Sequence, residues 1–162
     1  MASSVQKIRS LEETRHLRQQ LKNEGKQVVF TNGCFDILHP GHTRYLSSAR
    51  DLGDFLMVAV NSDRSVAHIK GPKRPIVAEQ TRAEVLAALA CVDGVFLFDH
   101  PDPLRIIQSL VPDILVKGGD WAEEEIIGAD VIQKNGGKVI RIPFVEGFST
   151  TQLIETIVKR YG

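Results

Sequence analysis

At 162 residues, with 43% hydrophobic and 25% charged residues, the chain has the size and composition of one complete globular domain, able to bury a core without metals or disulfide staples. Twenty Lys+Arg balance twenty Asp+Glu, which removes the basic footprint of a protein that holds DNA or RNA by bulk electrostatics. The longest apolar runs, 55–60 and 85–92, fall far short of the ~20 residues of a bilayer span, and the polar start Met1-Ala2-Ser3-Ser4 has no signal-type apolar stretch after it. Cys34 and Cys91 form no CxxC, so two reduced thiols are expected in a cytoplasmic protein that binds neither nucleic acid nor membrane.

Ser10-Leu11-Glu12-Glu13 reads as a capping box, and Gly25 supplies a stop, which together predict an N-terminal helix over about 10–24. The short β-rich run Val28-Val29-Phe30 follows, then a loop from Thr31 to Pro40. The alternation then repeats, with helices expected over 42–52, 78–91, 103–110, 122–134 and 150–161 and strands over 55–60, 95–98, 114–116 and 139–142. The strands are continuous apolar runs, the mark of strands covered on both faces. A doubly wound parallel α/β sheet is therefore expected, in a single domain over 1–162. Gly and Pro gather at the strand ends, where such folds bind ligands.

The densest cluster of chemically useful residues is Thr31-Asn32-Gly33-Cys34-Phe35-Asp36-Ile37-Leu38-His39-Pro40-Gly41-His42, between the first strand and its helix. Neither GxGxxG nor GxxxxGK[ST] occurs in the chain, which argues against dinucleotide-type dehydrogenases and P-loop kinases. His39 and His42 sit at the mouth of a helix, where Pro40 fixes the backbone and Gly41 leaves room for close approach. A helix start with two imidazoles suits a phosphate. Loop histidines with local hydrogen bonds, a metal pair helped by Cys34 and Asp36, or Cys34 as a nucleophile are the other readings of the same residues.

HxGH in this position resembles the signature of the nucleotidylyltransferase (cytidylyltransferase-like) superfamily. Together with Val60-Asn61-Ser62-Asp63, Lys70-Gly71-Pro72, Leu115-Val116-Lys117-Gly118-Gly119-Asp120-Trp121 and Val145-Glu146-Gly147-Phe148-Ser149-Thr150-Thr151, it resembles the D-glycero-β-D-manno-heptose 1-phosphate adenylyltransferases within that superfamily over about 27–157. The resemblance implies a Rossmann-like five-stranded sheet of order 3-2-1-4-5. It also implies transfer of AMP from ATP to heptose 1-phosphate, giving ADP-heptose and pyrophosphate for lipopolysaccharide core biosynthesis. Mg²⁺ would ride on the triphosphate, and the enzyme would be a homodimer. The activity is fused to a sugar kinase in many bacteria, and the length of this chain leaves space for the transferase alone. A glycerol-phosphate-type cytidylyltransferase and a non-catalytic nucleotide-binding module are the alternatives.

By this resemblance His39, His42, Lys70 and Arg82 are the catalytic residues, acting on the phosphates. Asn32, Gly33, Cys34, Phe35, Gly41, Lys117, Gly118, Gly119, Glu146, Gly147, Phe148, Ser149 and Thr150 bind the nucleotide. Asp36, Asn61, Asp63 and Trp121 bind the sugar phosphate, and no protein ligand of a metal is assigned. Each assignment has a plain structural counterpart. Lys117-Gly118-Gly119 also reads as a strand-ending turn. Ser149-Thr150-Thr151-Gln152 is equally a capping box, and the superfamily's basic residue after it is here Ile154. Lys70-Gly71-Pro72-Lys73-Arg74-Pro75 is either solvated surface or a lid, and Arg82 is either a surface arginine or a phosphate ligand that relieves a cation at a helix start.

Overall fold

The structure, a computed structural model, describes residues 4–119, 122, 125–143 and 145–162. After a 3₁₀ turn at Ser4–Lys7, helix α1 (Leu11–Asn23) opens on the expected capping box: Glu13 N–H donates to Ser10 Oγ at 3.2 Å and Ser10 N–H to Glu13 Oε2 at 2.7 Å. The chain then runs through β1 (Val28–Gly33), α2 (Pro40–Arg50), β2 (Phe55–Asn61), α3 (Asp63–Lys70), α4 (Glu79–Ala88) and β3 (Gly94–Phe98). It continues with α5 (Leu104–Leu110), β4 (Ile114–Gly118), α6 (Ala129–Lys134), β5 (Lys138–Ile142) and α7 (Thr150–Tyr161). No helix among the described residues is long and apolar enough to cross a membrane.

The five strands form one parallel sheet in the order β3-β2-β1-β4-β5, as expected. Strand residues alternate between two buried faces. Val29, Leu56, Val58 and Val116 pack with Leu46 and Ala49 of α2 and with Ala83, Leu86 and Ala87 of α4. Val28, Phe30, Met57, Ala59 and Leu115 pack on the other side with α1, α5 and α6, through residues such as Leu17, Ile107 and Ile132. At roughly 1.5–3 kcal/mol for each large apolar side chain buried, these two layers are the main stabilising term. They also explain why the strands read as unbroken apolar runs.

Several elements differ from expectation, among them α4, which ends at Ala88 and not at 91. Helix α3 was not anticipated; Ser62 caps it by accepting from Ser65 N–H, and Gly71, at φ +95°, ends it. Helix α2 begins at Pro40 rather than at 42. The helix expected over 122–134 is represented among the described residues by α6, which starts after Gly128 at φ +89°, with Ile107 packed so close that a Cβ would lie 2.7 Å from its Cδ1.

Candidate active site

Strand order reverses between β1 and β4, and a ligand is expected in the crevice beyond their carboxyl ends. A cleft of about 720 Å³ opens there. Its wall is shaped first by the loop leaving β1. Phe35 adopts φ +47° and is buried, and its ring lies so near Gly33 that a Cβ there would approach to 3.0 Å. The same ring meets His42 edge-on at 5.5 Å between centroids. A left-handed phenylalanine costs on the order of 1 kcal/mol, and the packing around its ring holds it there.

His39 is the N-cap residue of α2 but makes no capping bond with its side chain, and Pro40 occupies the first helical position. The rings of His39 and His42 stack at 3.8 Å between centroids with 27° between planes. Neither buried Nδ1 has a hydrogen-bond partner among the described residues. Burial, and then the neighbouring His39, pull the pKa of His42 down to about 4, and burial lowers that of His39 as well. Two neutral imidazoles thus face the cleft at the positive end of a helix, a setting in which an anionic ligand supplies the missing charge and acceptors. Gly41 is required by this stacking: a Cβ would fall 2.9 Å from the His39 ring and 3.2 Å from Phe148 Cβ.

The start of α7 closes the same side. Ser149 Oγ accepts from Gln152 N–H at 3.0 Å, and the N–H groups of Thr150 and Thr151 have no acceptor within a helix. Thr150 Oγ1 donates to Ile37 O at 3.4 Å, tying this helix start to the loop after β1, and the Phe148 ring lies 6.3 Å from that of His39. Two helix starts therefore converge on one wall of the cleft.

The opposite wall is built from strand ends. Lys117 Nζ donates to Asn32 Oδ1, and burial lowers the lysine pKa to about 8. Asn61 Nδ2 donates to Ser65 Oγ at 2.8 Å and to His100 O at 3.3 Å, fixing its carboxamide at the cleft edge. Burial pushes the Cys34 thiol up, against the pull of Lys70, Arg82 and Arg74. It stays a thiol at neutral pH, which disfavours a nucleophilic role.

Asn32, Gly33, Cys34, Phe35, Asp36, His39, Gly41, His42, Asn61, Lys70, Lys117 and Gly118 all line the cleft, as do Glu146, Gly147, Phe148, Ser149 and Thr150. Other expected site residues lie off the lining or are held by the protein's own groups. Arg82 is 1% exposed and does not line it. Its guanidinium donates to Val77 O, Cys34 O, Asn61 O and Asp63 Oδ1, which satisfies it within the protein. Asp63 is likewise outside the lining, held by Arg82 and with its N–H on Glu79 Oε2. Gly119 also lies off the lining, donating its N–H to Ile142 O. Asp36 reaches the cleft wall, but its carboxylate accepts from Arg74 Nε and from the N–H groups of Ile76 and Val77, so it anchors a loop and is not open to sugar hydroxyls. Trp121 lies outside the described residues.

Tyr45, Ile69 and Pro101 line the cleft without having been anticipated. Tyr45 was within reach of pattern reading, since it stands three residues after His42 on the same helical face. Its hydroxyl pairs with Thr31 Oγ1 at 2.7 Å, and burial raises its pKa to about 12. Ile69 belongs to the unanticipated α3, and Pro101 to a loop without a motif.

Comparison with known proteins agrees with this geometry. The chain is 52% identical over 155 residues to the bifunctional protein HldE of Syntrophotalea carbinolica, covering 96% of this chain and 32% of that protein. It is 51% identical over 158 residues to the bifunctional protein HldE of Citrifermentans bemidjiense, covering 98% and 32%. The chain thus spans about a third of the length of the curated relatives it matches. Among solved structures, the lipopolysaccharide core biosynthesis protein of Thermoplasma volcanium is 34% identical with a TM-score of 0.60, covering 75% of this chain and 98% of that one. Pantoate-beta-alanine ligase of Francisella tularensis, at 15% identity and a TM-score of 0.62 over 94% of this chain and 77% of its own, shares the fold. A family model described as cytidylyltransferase-like matches residues 30–156, from the middle of β1 into α7, and the chain belongs to that family of nucleotidyltransferases.

Proposed function

We propose that this domain transfers AMP from ATP to D-glycero-β-D-manno-heptose 1-phosphate, releasing pyrophosphate and giving ADP-heptose for lipopolysaccharide core assembly. The observation that carries the reading is the stacked pair of neutral histidines at the α2 start, facing a cleft whose charged donors are Lys70, Arg74 and Lys117. In the reaction a phosphate oxygen of the sugar 1-phosphate attacks the α-phosphorus of ATP in line. The new P–O bond forms as the bond to the β-phosphate oxygen breaks, and pyrophosphate leaves with that electron pair. The nucleophile is already an anion, so no general base is required. Positioning and neutralisation of charge on the transferring phosphoryl group are then the protein's contribution.

His39 and His42, with the N–H groups of Gly41 at the start of α2 and of Thr150 and Thr151 at the start of α7, would hold the triphosphate, and Lys70 would approach it from the end of α3. Mg²⁺ fits as a companion of the triphosphate and not as a caged ion. Among the described residues no three His, Cys, Asp or Glu side chains gather as a metal site, and the Asp36 carboxylate is already committed to its own loop. When bound, the ion would supply charge neutralisation on the phosphates. The longer, bifunctional relatives fit an activity fused to a second one in other proteins. A cytoplasmic homodimer completes the reading, and light scattering tests the oligomeric state.

A coupled pyrophosphate assay over a grid of nucleotides and sugar phosphates is the direct test. Release with ATP and heptose 1-phosphate is expected. Release only from CTP with glycerol 3-phosphate, or none from any pair with nucleotide binding indifferent to His39→Ala and His42→Ala, overturns the proposal.

A further inference from the structure

The two walls of the cleft belong to opposite faces of the sheet. His42 lies on α2, which packs through Leu46 and Ala49 on the face carrying Val29, Val58 and Val116. Lys117 follows Leu115 by two residues and Asn32 follows Phe30 by two, so both belong to the other face, with α1, α5 and α6. Their side chains meet across the β1–β4 crevice. Among the described residues Asn32 is the sole hydrogen-bond partner of the Lys117 amine, and no carboxylate lies within ion-pair distance. A desolvated cation held only by a neutral amide is unfavourable, and an anion beside it offsets that cost.

In-line displacement puts the incoming oxygen and the departing pyrophosphate on opposite sides of the transferring phosphorus. The helix starts, the histidine pair and Phe148 all lie on one wall, enough donors for a triphosphate. The wall built from strand ends offers Lys117 and two carboxamides, Asn32 and Asn61, which match a single phosphate attached to a polyhydroxylated body. We infer that Lys117 holds the phosphate of the acceptor, oriented by Asn32, and so sets the position of the attacking oxygen. Burial lowers the amine's pKa, and an anion beside it would oppose that shift. The inference rests on the proposed reaction and moves Lys117 from the nucleotide to its acceptor.

The test compares Lys117→Met and Lys117→Arg with the wild type, thermal melting confirming the fold of each. Loss of one charge-assisted contact predicts that Lys117→Met raises KM for heptose 1-phosphate about 10- to 100-fold, with KM for ATP within about twofold and partial recovery in Lys117→Arg. A higher KM for ATP with that of the acceptor unchanged overturns the inference, as does no change in either. If the wild type turns over no nucleotide and sugar phosphate pair, the proposed function fails by itself. The protein loaded with α,β-methylene-ATP is then titrated with inorganic phosphate. Binding that Lys117→Met weakens at least about tenfold supports the inference, and equal binding by both proteins overturns it.

Discussion

Asp36 and Arg82 grip the same residue from its two sides: Asp36 Oδ1 accepts from Val77 N–H at 2.8 Å, and Arg82 Nε donates to Val77 O at 2.8 Å. The loop that follows α3 is thereby clamped to the loop after β1, because Arg82 also donates to Cys34 O at 2.5 Å. The cleft's histidine wall and its basic loop are joined through this buried arginine. Replacing Arg82 with Ala leaves three backbone carbonyls without their donor and Asp63 without its partner. A loss of about 3–5 kcal/mol is expected, read as a lower midpoint in urea unfolding, with turnover falling alongside the folded fraction. An unchanged midpoint with lost turnover would restore Arg82 to the phosphates.

Asp36 adds a pH signature. Burial alone would raise its pKa, but the N–H groups of Val77 and Ile76 and the Arg74 guanidinium outweigh it and hold the carboxyl below its usual value of 3.8. A depressed carboxylate contributes stability that is fully present above the unfolded value and is lost as pH falls through the folded one. Asp36→Asn is therefore expected to be less stable than the wild type at pH 7, by about 2–3 kcal/mol for charge-assisted bonds. The gap should shrink below about pH 3.8. Unfolding midpoints of both proteins at pH 7 and pH 3 check the sign, and a gap that widens in acid contradicts it.

That sequence pattern reaches the positions of the histidines and not the internal partners of Arg82 and Asp36 has a physical explanation. HxGH follows a strand and opens a helix, so local geometry alone brings His39 and His42 to the strand's carboxyl end. The parallel sheet is equally accessible, since strands buried on both faces read as apolar runs, whereas its strand order comes only from the family resemblance. Arg82 also stands at a helix start, but its direction depends on Cys34, Asn61 and Val77, up to 48 residues away, whose carbonyls converge only in the folded chain. Asp36 was open to the same ambiguity: a carboxylate in a ligand loop can face the ligand or the loop, and Arg74, 38 residues on, decides it. Helix α3 escapes pattern reading because it is only eight residues long, 63–70, about two turns, and follows the end of β2 almost directly.

Gly41 tests the stacking directly. A methyl group there would sit 2.9 Å from the His39 ring and 3.2 Å from Phe148 Cβ, so one of them has to move. Alanine is the better helix former by up to ~1 kcal/mol, which offsets the steric strain in stability but not in geometry. Gly41→Ala is expected to melt within a few degrees of the wild type. Its kcat/KM should nevertheless fall by about 100-fold, the scale of a misplacement near 1 Å. Pyrophosphate release and a melting curve on the same preparation separate the two effects.

His42 should separate catalysis from folding in the opposite way to Arg82. Its buried Nδ1 has no partner among the described residues, so the ring contributes little hydrogen-bond stabilisation to the fold. Its folded pKa near 4, against an ordinary 6.5, makes protonation work against the folded state. No penalty arises above about pH 6.5, and it grows as pH falls toward 4, because the unfolded chain takes up the proton first. His42→Asn is expected to melt close to the wild type at pH 7.5 and to lose less stability than the wild type between pH 6.5 and 4. Its pyrophosphate release should drop by about 100- to 1,000-fold, as when one donor to a transition-state oxygen is removed. Full turnover in this variant would exclude the histidine pair from the reaction, and a large melting loss at pH 7.5 would make it a structural pair instead.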